Sequence, residues 1–279
     1  MEGESVDIVR VIRRLRGSSQ AYHVEGHDGH HYAAKFAQNP QGTRTLINEW
    51  FAHQFLRRLG ISTSPIRVLR LSPAISKELA FERGATHTAI KAGLHFGSQF
   101  PAHPSTSAIY DFLPQKVLSR RLTNPEDFAK VSVLDWFFGQ TENRQAVFVR
   151  EKTGQMRAYM IDQGGLFGGR FWRLPGSCCR HQYFDRTVYS LCDLSEECGR
   201  TLQKVSALTD QDLQQAGESV PSVWFSQQDR AAWAQLLSQL SSRKSQLPEI
   251  GAECLQTAIR KPSNYRTPLV LPKNAVRNH

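Results

Sequence analysis

Residues 133 to 150, VLDWFFGQTENRQAVFVR, constrain the fold more than any other stretch of the chain. An apolar helical pattern ends at Phe138, six polar residues from Gln140 to Gln145 follow, and a strand pattern begins directly after them. A simple turn between two buried elements does not require six polar residues. The segment therefore predicts a functional loop, and Glu142 is its only carboxylate, the group suited to proton transfer.

The first third of the chain combines strand and helix patterns, and helical patterns dominate after about residue 180, which predicts an α+β fold. A hairpin is predicted over residues 22–37, with Lys35 on a face of its second strand that otherwise carries small side chains. A helix is predicted over residues 43–60, with Glu49 at the edge of its apolar face. Residues 84–108 are interpreted as loops that cover a core.

A second hairpin is predicted over residues 146–162, directly after the polar loop. Because this hairpin is short, Glu142 and Asp162 are expected at the same end of the sheet. The helix before the loop is predicted to begin with Asn124 as its N-cap. Asp135 lies seven residues before Glu142 in that helix and is interpreted as a structural residue that bonds to loop amides. A catalytic role for Asp135 is the alternative.

Phosphoryl transfer from ATP requires several parts that this chain carries in the order known from kinases. A turn of small residues precedes the first hairpin, and its backbone amides are suited to binding phosphates. The turn consists of Gly17, Ser18, Ser19 and Gln20. Lys35 is suited to neutralising phosphate oxygens, and Glu49 is suited to holding Lys35. Asp162 offers a ligand for Mg²⁺, and Glu142 is suited to orienting an acceptor hydroxyl.

The sequence resembles the HipA-like kinases, specifically a compact branch of that family, over most of residues 10–250. The blocks that carry the resemblance are YAAKFAQNPQGTRTLINEWFAHQFLRRLGISTSP, HFGSQF, VLDWFFGQTENRQAVFVR, YMIDQGGLFGG and VPSVWF. The resemblance implies a two-lobed, protein-kinase-like α+β fold that binds ATP and Mg²⁺ between the lobes. The β-rich N-lobe is then expected over residues 1–108, the mostly helical C-lobe over residues 109–258, and a flexible basic tail over residues 259–279.

The resemblance also implies roles for individual residues. Lys35 matches the lysine that binds ATP phosphates, Glu49 its ion-pair partner, and Asp162 the metal-binding aspartate. The turn from Gly17 to Gln20 matches the phosphate-side loop.

In the catalytic loop, Glu142 stands where the toxin kinases of the family carry an aspartate. Arg144 stands at a histidine position, and the pair of Arg144 and Gln145 is a common feature of the compact branch. Arg144 is expected to support transition-state charge, and Gln145 is expected near the metal.

Two departures from the family pattern support an alternative reading, a pseudokinase that binds ATP with little or no turnover. Glutamate at 142 extends the carboxylate by one methylene, and a misplacement of about 1 Å costs ~100-fold in rate. Val147 lies where a metal-binding asparagine is expected, and its side chain cannot ligate Mg²⁺.

The net charge of +10 favours anionic partners, namely nucleotide, nucleic acid or acidic protein. The family suggests a serine or threonine of a protein as acceptor, and a basic nucleic-acid-binding protein without catalysis is a further alternative. Five cysteines without a Cys-x-x-Cys motif predict reduced thiols. With no apolar leader and no membrane-spanning run, the protein is expected to be soluble and cytoplasmic.

A group of histidines around the first hairpin turn is interpreted as exposed polar residues rather than as a metal site. The group consists of His23, His27, His30 and His31. A zinc site at Cys178, Cys179 and His181 would lack an apparent fourth ligand.

Overall fold

The computed structural model describes residues 5–17, 19–83, 89–175 and 182–259. Eight strands and eight α-helices lie within these ranges. The strands are β1 (Val6–Arg14), β2 (Tyr22–Gly26), β3 (His31–Lys35), β4 (Ile66–Leu71), β5 (Gly93–Gln99), β6 (Ile109–Tyr110), β7 (Gln145–Arg150) and β8 (Met156–Ile161). The helices are α1 (Arg44–Arg58), α2 (Pro73–Arg83), α3 (Gln115–Arg121), α4 (Glu126–Phe138), α5 (Leu194–Ser206), α6 (Asp210–Glu218), α7 (Gln227–Arg243) and α8 (Leu247–Ile259).

The first lobe is a five-stranded barrel with the strand order β1-β2-β3-β5-β4. Alternation along β3 places Tyr32 and Ala34 in the apolar core of the barrel. Ala33 and Lys35 point the other way, into a cavity at the boundary with the second lobe. This confirms the predicted faces of the strand, although β3 ends at Lys35 instead of residue 37, because a turn closed from Phe36 begins there.

The interpretation of residues 84–108 as loops is wrong for residues 93–99, which form β5 between β3 and β4. Glycines weaken a strand pattern, and this segment contains two of them. Gly97 is nevertheless required in the strand, because a Cβ atom there would lie 2.5 Å from side-chain atoms of Leu69. Residues 84–88 lie outside the described part of the chain.

The second lobe contains a three-stranded sheet with the order β6-β7-β8, followed by helices α5 to α8. Its first strand begins at Ile109, and the predicted lobe boundary after residue 108 stays a prediction. Of the predicted tail, Ile259 still belongs to α8, and residues 260–279 lie outside the described residues.

Helix α1 belongs to the first lobe in sequence but packs into the core of the second. Its fully buried Phe51 contacts Phe138 of α4 at a ring-centroid distance of 5.7 Å and Trp233 of α7 at 5.1 Å. Edge-to-face contacts of this kind hold aromatic rings in defined positions. The packing therefore fixes the helix that carries Glu49 relative to the helical lobe.

Asn124 does not cap α4, contrary to the prediction. Its Nδ2 donates to the carbonyl oxygen of Ala158, and its Oδ1 accepts from the backbone N–H of Ala158, both at 2.9 Å. The buried amide thus extends the hydrogen bonding of β8. The helix itself ends at Gly139, whose left-handed φ of 68° turns the chain into the polar loop.

The prediction of exposed histidines is wrong for His23. It is buried, it stacks on Phe100 at a centroid distance of 4.6 Å, and its Nε2 lies 2.8 Å from Nδ1 of His31. Burial, with a smaller contribution from the charge of His31, lowers the pKa of His23 to about 4. His27 and His30 are exposed, as predicted.

No disulfide involves Cys192, Cys198 or Cys254 in the described part of the chain, and Cys178, Cys179 and His181 lie outside it. None of the helices in the described ranges is long and apolar enough to cross a lipid bilayer. A cytoplasmic location stays a prediction.

Candidate active site

Three of the predicted site residues, Lys35, Glu49 and Asp162, meet at the boundary between the lobes. Nζ of Lys35 donates to Oε1 of Glu49 and, at 2.6 Å, to Oδ1 of Asp162. Glu49 and Asp162 lie 14 and 127 residues from Lys35 in the sequence, so the fold and not local structure creates this cluster. The Lys35 and Glu49 side chains are almost completely buried, and that of Asp162 is more accessible, at 17%.

Burial and charge determine the protonation of this cluster. Burial alone would lower the pKa of Lys35, but the carboxylates of Asp162 and Glu49 outweigh it and raise the pKa. Burial raises the pKa of Glu49 despite the charge of Lys35. The pKa of Asp162 is lowered, because Lys35 and Arg144 outweigh its burial. Lys35 is therefore charged, and Asp162 is the more acidic of its two partners.

The two glycines after Asp162 are explained by close packing. Asp162 itself has a φ of +61°, which is uncommon for a residue other than glycine and directs its carboxylate back toward Lys35. The backbone N–H of Gly164 donates to Oε1 of Glu49 at 3.1 Å. A Cβ atom on Gly165 would overlap Oε1 of Gln140 and lie 2.9 Å from Cγ of Glu142. The glycine pair therefore allows the turn at Asp162 to lie directly against the polar loop.

The polar loop is organised by the buried side chain of Gln140. Its Oε1 accepts hydrogen bonds from the backbone N–H groups of Thr141 and Glu142, at 3.0 and 3.2 Å. The Glu142 carboxylate is half-buried, and its Oε1 accepts from Nε2 of Gln41 at 2.9 Å. Burial, together with the charge of Asp162, raises the pKa of Glu142. The loop thus places a carboxylate of increased basicity close to the Lys35 cluster.

Arg144 is not available to support transition-state charge directly. Its guanidinium is completely buried and forms a bidentate ion pair with Asp135. Nε donates to Oδ2 at 2.9 Å, and Nη2 donates to Oδ1. Nη1 donates to Ile161 O at 3.0 Å and to Gln163 Oε1 at 2.7 Å. All three nitrogens are therefore engaged inside the protein. The Asp135 carboxylate thus binds Arg144, and its predicted bonding to loop amides stays a prediction.

Gln145 and Val147 share one face of β7, and only Gln145 contacts the cluster. Nε2 of Gln145 donates to Oδ2 of Asp162 at 2.8 Å, because Gln145 pairs with Ile161 at the end of the hairpin. Val147 is buried two residues further along and pairs with Tyr159.

The predicted phosphate turn connects β1 and β2 at the opening of the cavity. Gly17 has a φ of +126° and Gln20 one of +49°, Ser19 is buried, and Ser18 lies outside the described residues. Ser19 lines the cavity, as does Arg16, the basic residue that directly precedes the turn. Gly17 and Gln20 shape the turn without lining the cavity.

The cavity between the lobes has a mixed lining. Lys35, Glu49, Asp162 and Gln145 line it with charged and polar groups. Apolar side chains from both lobes also line it, including Ala33, Phe96 and Met160. The volume of the cavity is about 140 Å³.

Sequence reasoning missed two side chains at the site. Gln41, which bonds Glu142, lies in a loop without any recognisable pattern. His53 also lines the cavity, and its position four residues after Glu49 on a helix is a signal that was available.

The barrel lobe, the helical lobe and the ion-pair cluster in the cleft between them define a protein of the protein-kinase-like class. The family model for the HipA-like kinases matches residues 8–251 of this chain. The chain therefore belongs to the HipA-like kinase family. None of the curated proteins matches it in sequence.

Two solved structures are similar to this chain. The crystal structure of the Golgi casein kinase with Mn/ADP bound has a TM-score of 0.45 and 11% sequence identity, covering 87% of this chain and 72% of that one. The crystal structure of the Golgi casein kinase has a TM-score of 0.44 and 12% identity, covering 88% of this chain and 73% of that one. Both scores lie below 0.5, so the classification rests on the family match and on the architecture itself.

Proposed function

We propose that this protein is an ATP- and Mg²⁺-dependent phosphotransferase that transfers the γ-phosphoryl group to a hydroxyl, that of a serine or threonine in a protein. The observation that carries the proposal is the bonding of Lys35 to both Glu49 and Asp162 in the cleft between the lobes. This cluster combines a fixed cation for phosphate oxygens with a carboxylate for a metal, and phosphoryl transfer depends on positioning and charge neutralisation of this kind.

ATP is assigned to the cavity that contains this cluster. Its base and ribose would lie against apolar lining residues such as Ala33, Phe96 and Met160, and its phosphates would lie between Lys35 and the turn that contains Ser19. Typical ligand pockets measure about 300–1,000 Å³, and this cavity measures about 140 Å³, so nucleotide binding would need it to widen. Phosphate oxygens would then replace Asp162 as a partner of Lys35, while Glu49 keeps the lysine in place.

Mg²⁺ fits the oxygen donors beside Lys35. The Asp162 carboxylate and the side-chain amide of Gln145 already contact each other. Both can offer an oxygen ligand, the amide once it has flipped so that its oxygen takes the place of its nitrogen. Within the described residues, no group of three or more His, Cys, Asp or Glu side chains could hold a metal ion. That agrees with Mg²⁺, which proteins usually bind through one or two carboxylates together with substrate phosphates. When bound, the ion would neutralise charge on the phosphates.

Glu142 is assigned to the acceptor hydroxyl. A general base works best when its pKa lies near the operating pH, and burial raises the pKa of Glu142 in that direction. Gln41 holds one oxygen of the carboxylate and leaves the other for the hydroxyl. Arg144 is assigned a positioning role, because it ties the helix before the loop to the Ile161 carbonyl and the Gln163 side chain, on either side of Asp162.

A pseudokinase that binds nucleotide without turnover is the second candidate. The observation that favours it is Val147, which is buried at the expected position of a metal-binding asparagine and leaves Gln145 as the nearest substitute. Both candidates predict nucleotide binding, so turnover must distinguish them.

The deciding experiment measures phosphate transfer or ATP hydrolysis by purified protein, with Asp162→Asn and Glu142→Gln as matched variants that keep side-chain size. Active enzyme should lose about 10²–10⁴-fold in rate on Glu142→Gln. Wild-type turnover equal to that of Asp162→Asn, combined with a nucleotide-dependent rise in melting temperature, would establish the pseudokinase. Glu142→Asp then tests the loop: a large gain in rate would show that the longer side chain attenuates the reaction.

A further inference from the structure

A groove beside α1 and β4 is not used by the proposed function. Its volume is about 890 Å³, which lies within the ~300–1,000 Å³ of typical ligand sites. Trp50, Ile66 and Val68 give it apolar walls, and Arg57 and Arg67 stand at its edge. Eleven residues line it and none of them is acidic.

The two arginines make the groove electropositive. Both are exposed, and neither forms an ion pair with any residue that the structure describes. The charges of Arg57 and Arg67 both reach the His53 side chain. Burial is the largest cause of the lowered pKa of His53, and the two arginines lower it further. The groove therefore offers two cations without a carboxylate partner among the described residues, although Arg67 also donates to the carbonyl oxygen of Ile66 at 2.9 Å.

Buried polar atoms near the groove add a second, independent feature that an occupant could match, an acceptor without a hydrogen-bond donor. Nε2 of His53 lies 2.9 Å from the carbonyl oxygen of Ser64, so Nε2 carries the hydrogen and Nδ1 is an acceptor. His53 is 95% buried (5% exposed), and its Nδ1 has no hydrogen-bond partner among the described residues. The hydroxyl oxygen of Ser64 is in the same situation. Because Nδ1 is itself buried, an occupant's N–H group would satisfy this acceptor only after the side chains that cover it shift.

We infer that the groove binds an acidic peptide segment of a partner protein. Its carboxylates pair with Arg57 and Arg67, an apolar side chain lies between Trp50 and β4, and a backbone N–H donates to His53. A peptide supplies these three elements together, whereas an inorganic anion supplies only the charge.

The groove is also connected to the candidate active site. His53, Thr63 and Ile66 line both the groove and the cavity between the lobes. His53 lies one helical turn after Glu49 on α1. A peptide that packs against this face of α1 holds Glu49 toward Lys35, and so tightens nucleotide binding. This coupling rests on the proposed function, whereas the docking itself does not.

The test uses photo-cross-linking with two synthetic pools of twelve-residue peptides. In the first pool each peptide carries one benzoylphenylalanine among Glu, Asp and Ala residues, and in the second Lys replaces the acids. Adducts are mapped by mass spectrometry on the full-length protein. Acidic peptides should label residues 50–57 and 61–68 preferentially. Labelling spread over the surface, or equal labelling by both pools, would overturn the assignment.

Charge-reversal variants separate a specific site from general attraction to a basic protein. Arg57→Glu with Arg67→Glu should weaken binding of a fluorescein-labelled acidic peptide at least tenfold in anisotropy measurements. The control, Lys116→Glu with Arg120→Glu, changes the net charge by the same amount at exposed positions on α3. Equal loss in both variants would refute the site. Arg57→Gln with Arg67→Gln repeats the test if the reversal impairs folding.

The coupling is measured as the ratio of peptide affinities with and without saturating MgADP. Linkage is reciprocal, and typical coupling factors are about 5–150, so an increase of at least fivefold is expected. Peptide binding that is unchanged by MgADP, in a protein shown to bind MgADP, would overturn the coupling. If MgADP does not bind at all, the proposed function fails while the cross-linking result still decides the docking.

Discussion

The ion pair between Arg144 and Asp135 allows a sharp test of how the candidate active site is held together. Arg144 makes two hydrogen bonds to Asp135 and one each to Ile161 O and Gln163 Oε1. Both side chains are at least 95% buried. Arg144→Met removes the cation and leaves a buried carboxylate without its partner, which costs about 3–5 kcal/mol of unfolding free energy. Asp135→Asn should cost a similar amount, because a buried guanidinium then lacks its countercharge.

The double variant is the informative one. With both charges removed, no ion remains uncompensated, and Arg144→Met with Asp135→Asn should cost about as much as either single change. The interaction free energy from the double-mutant cycle then has a magnitude of about 3–5 kcal/mol. The assay is equilibrium urea unfolding, with melting temperature as a second measurement. For a chain of this size each kcal/mol corresponds to roughly 2–4 °C, so each single variant should melt about 6–20 °C lower.

A surface pair provides the control. Arg200 and Glu196 form an exposed ion pair on α5, and Arg200→Met should leave the unfolding curve almost unchanged. Additive costs for the Arg144 and Asp135 variants would refute the reasoning. So would a variant of Arg144 that keeps its melting temperature but loses turnover, since that result would return Arg144 to the catalytic role expected from the sequence.

Three further predictions follow from single features. Gly165→Ala inserts a methyl group against the polar loop and should cost about 1–3 kcal/mol in urea unfolding, whereas Gly199→Ala, in a helix with open space around it, should be neutral or stabilising. Burial lowers the pKa of His53 and of His95 to about 4. Because the unfolded chain binds protons at these histidines at a higher pH than the folded chain, the free energy of unfolding should decline as pH falls from about 6.5 to 4, by up to ~1.4 kcal/mol per histidine and pH unit. A urea midpoint equal at pH 7 and pH 5 would contradict this. Turnover should decline on the acid side through the raised pKa of Glu142, so an acid limb at or below the ordinary glutamate value of 4.5 would argue against Glu142 as the base.

Local patterns were sufficient for the parts of the site that lie within single elements. Alternation along β3 placed Lys35 on the face opposite the barrel core, and helical spacing placed Glu49 at an apolar edge. The short hairpin from β7 to β8 brought Asp162 near the polar loop, as its length requires. The spacing of apolar residues and the length of a loop are physical constraints that can be read from one sequence without knowledge of its tertiary contacts.

Contacts between elements that are far apart in the sequence could not be predicted from local patterns. β5 was missed because its glycines are required by Leu69, a neighbour that only the barrel provides. Asn124 looks like a helix cap in sequence, but its partner is a strand 34 residues away. Arg144 was assigned to chemistry because the sequence does not show that Asp135 faces it inside the core.

The charges in the cleft explain why the proposed nucleotide and metal belong together. Glu49, Asp162 and Glu142 place three carboxyl groups near one lysine, and Arg144 is already compensated by Asp135. At an effective dielectric constant near 20, two unit charges 4 Å apart interact by about 4 kcal/mol. A triphosphate without a cation would therefore meet repulsion from Asp162 that Lys35 alone does not offset. A divalent cation held by Asp162 would reverse the sign of that interaction. Lys35 could then exchange Asp162 for a phosphate oxygen, while Glu49 would keep the lysine in place.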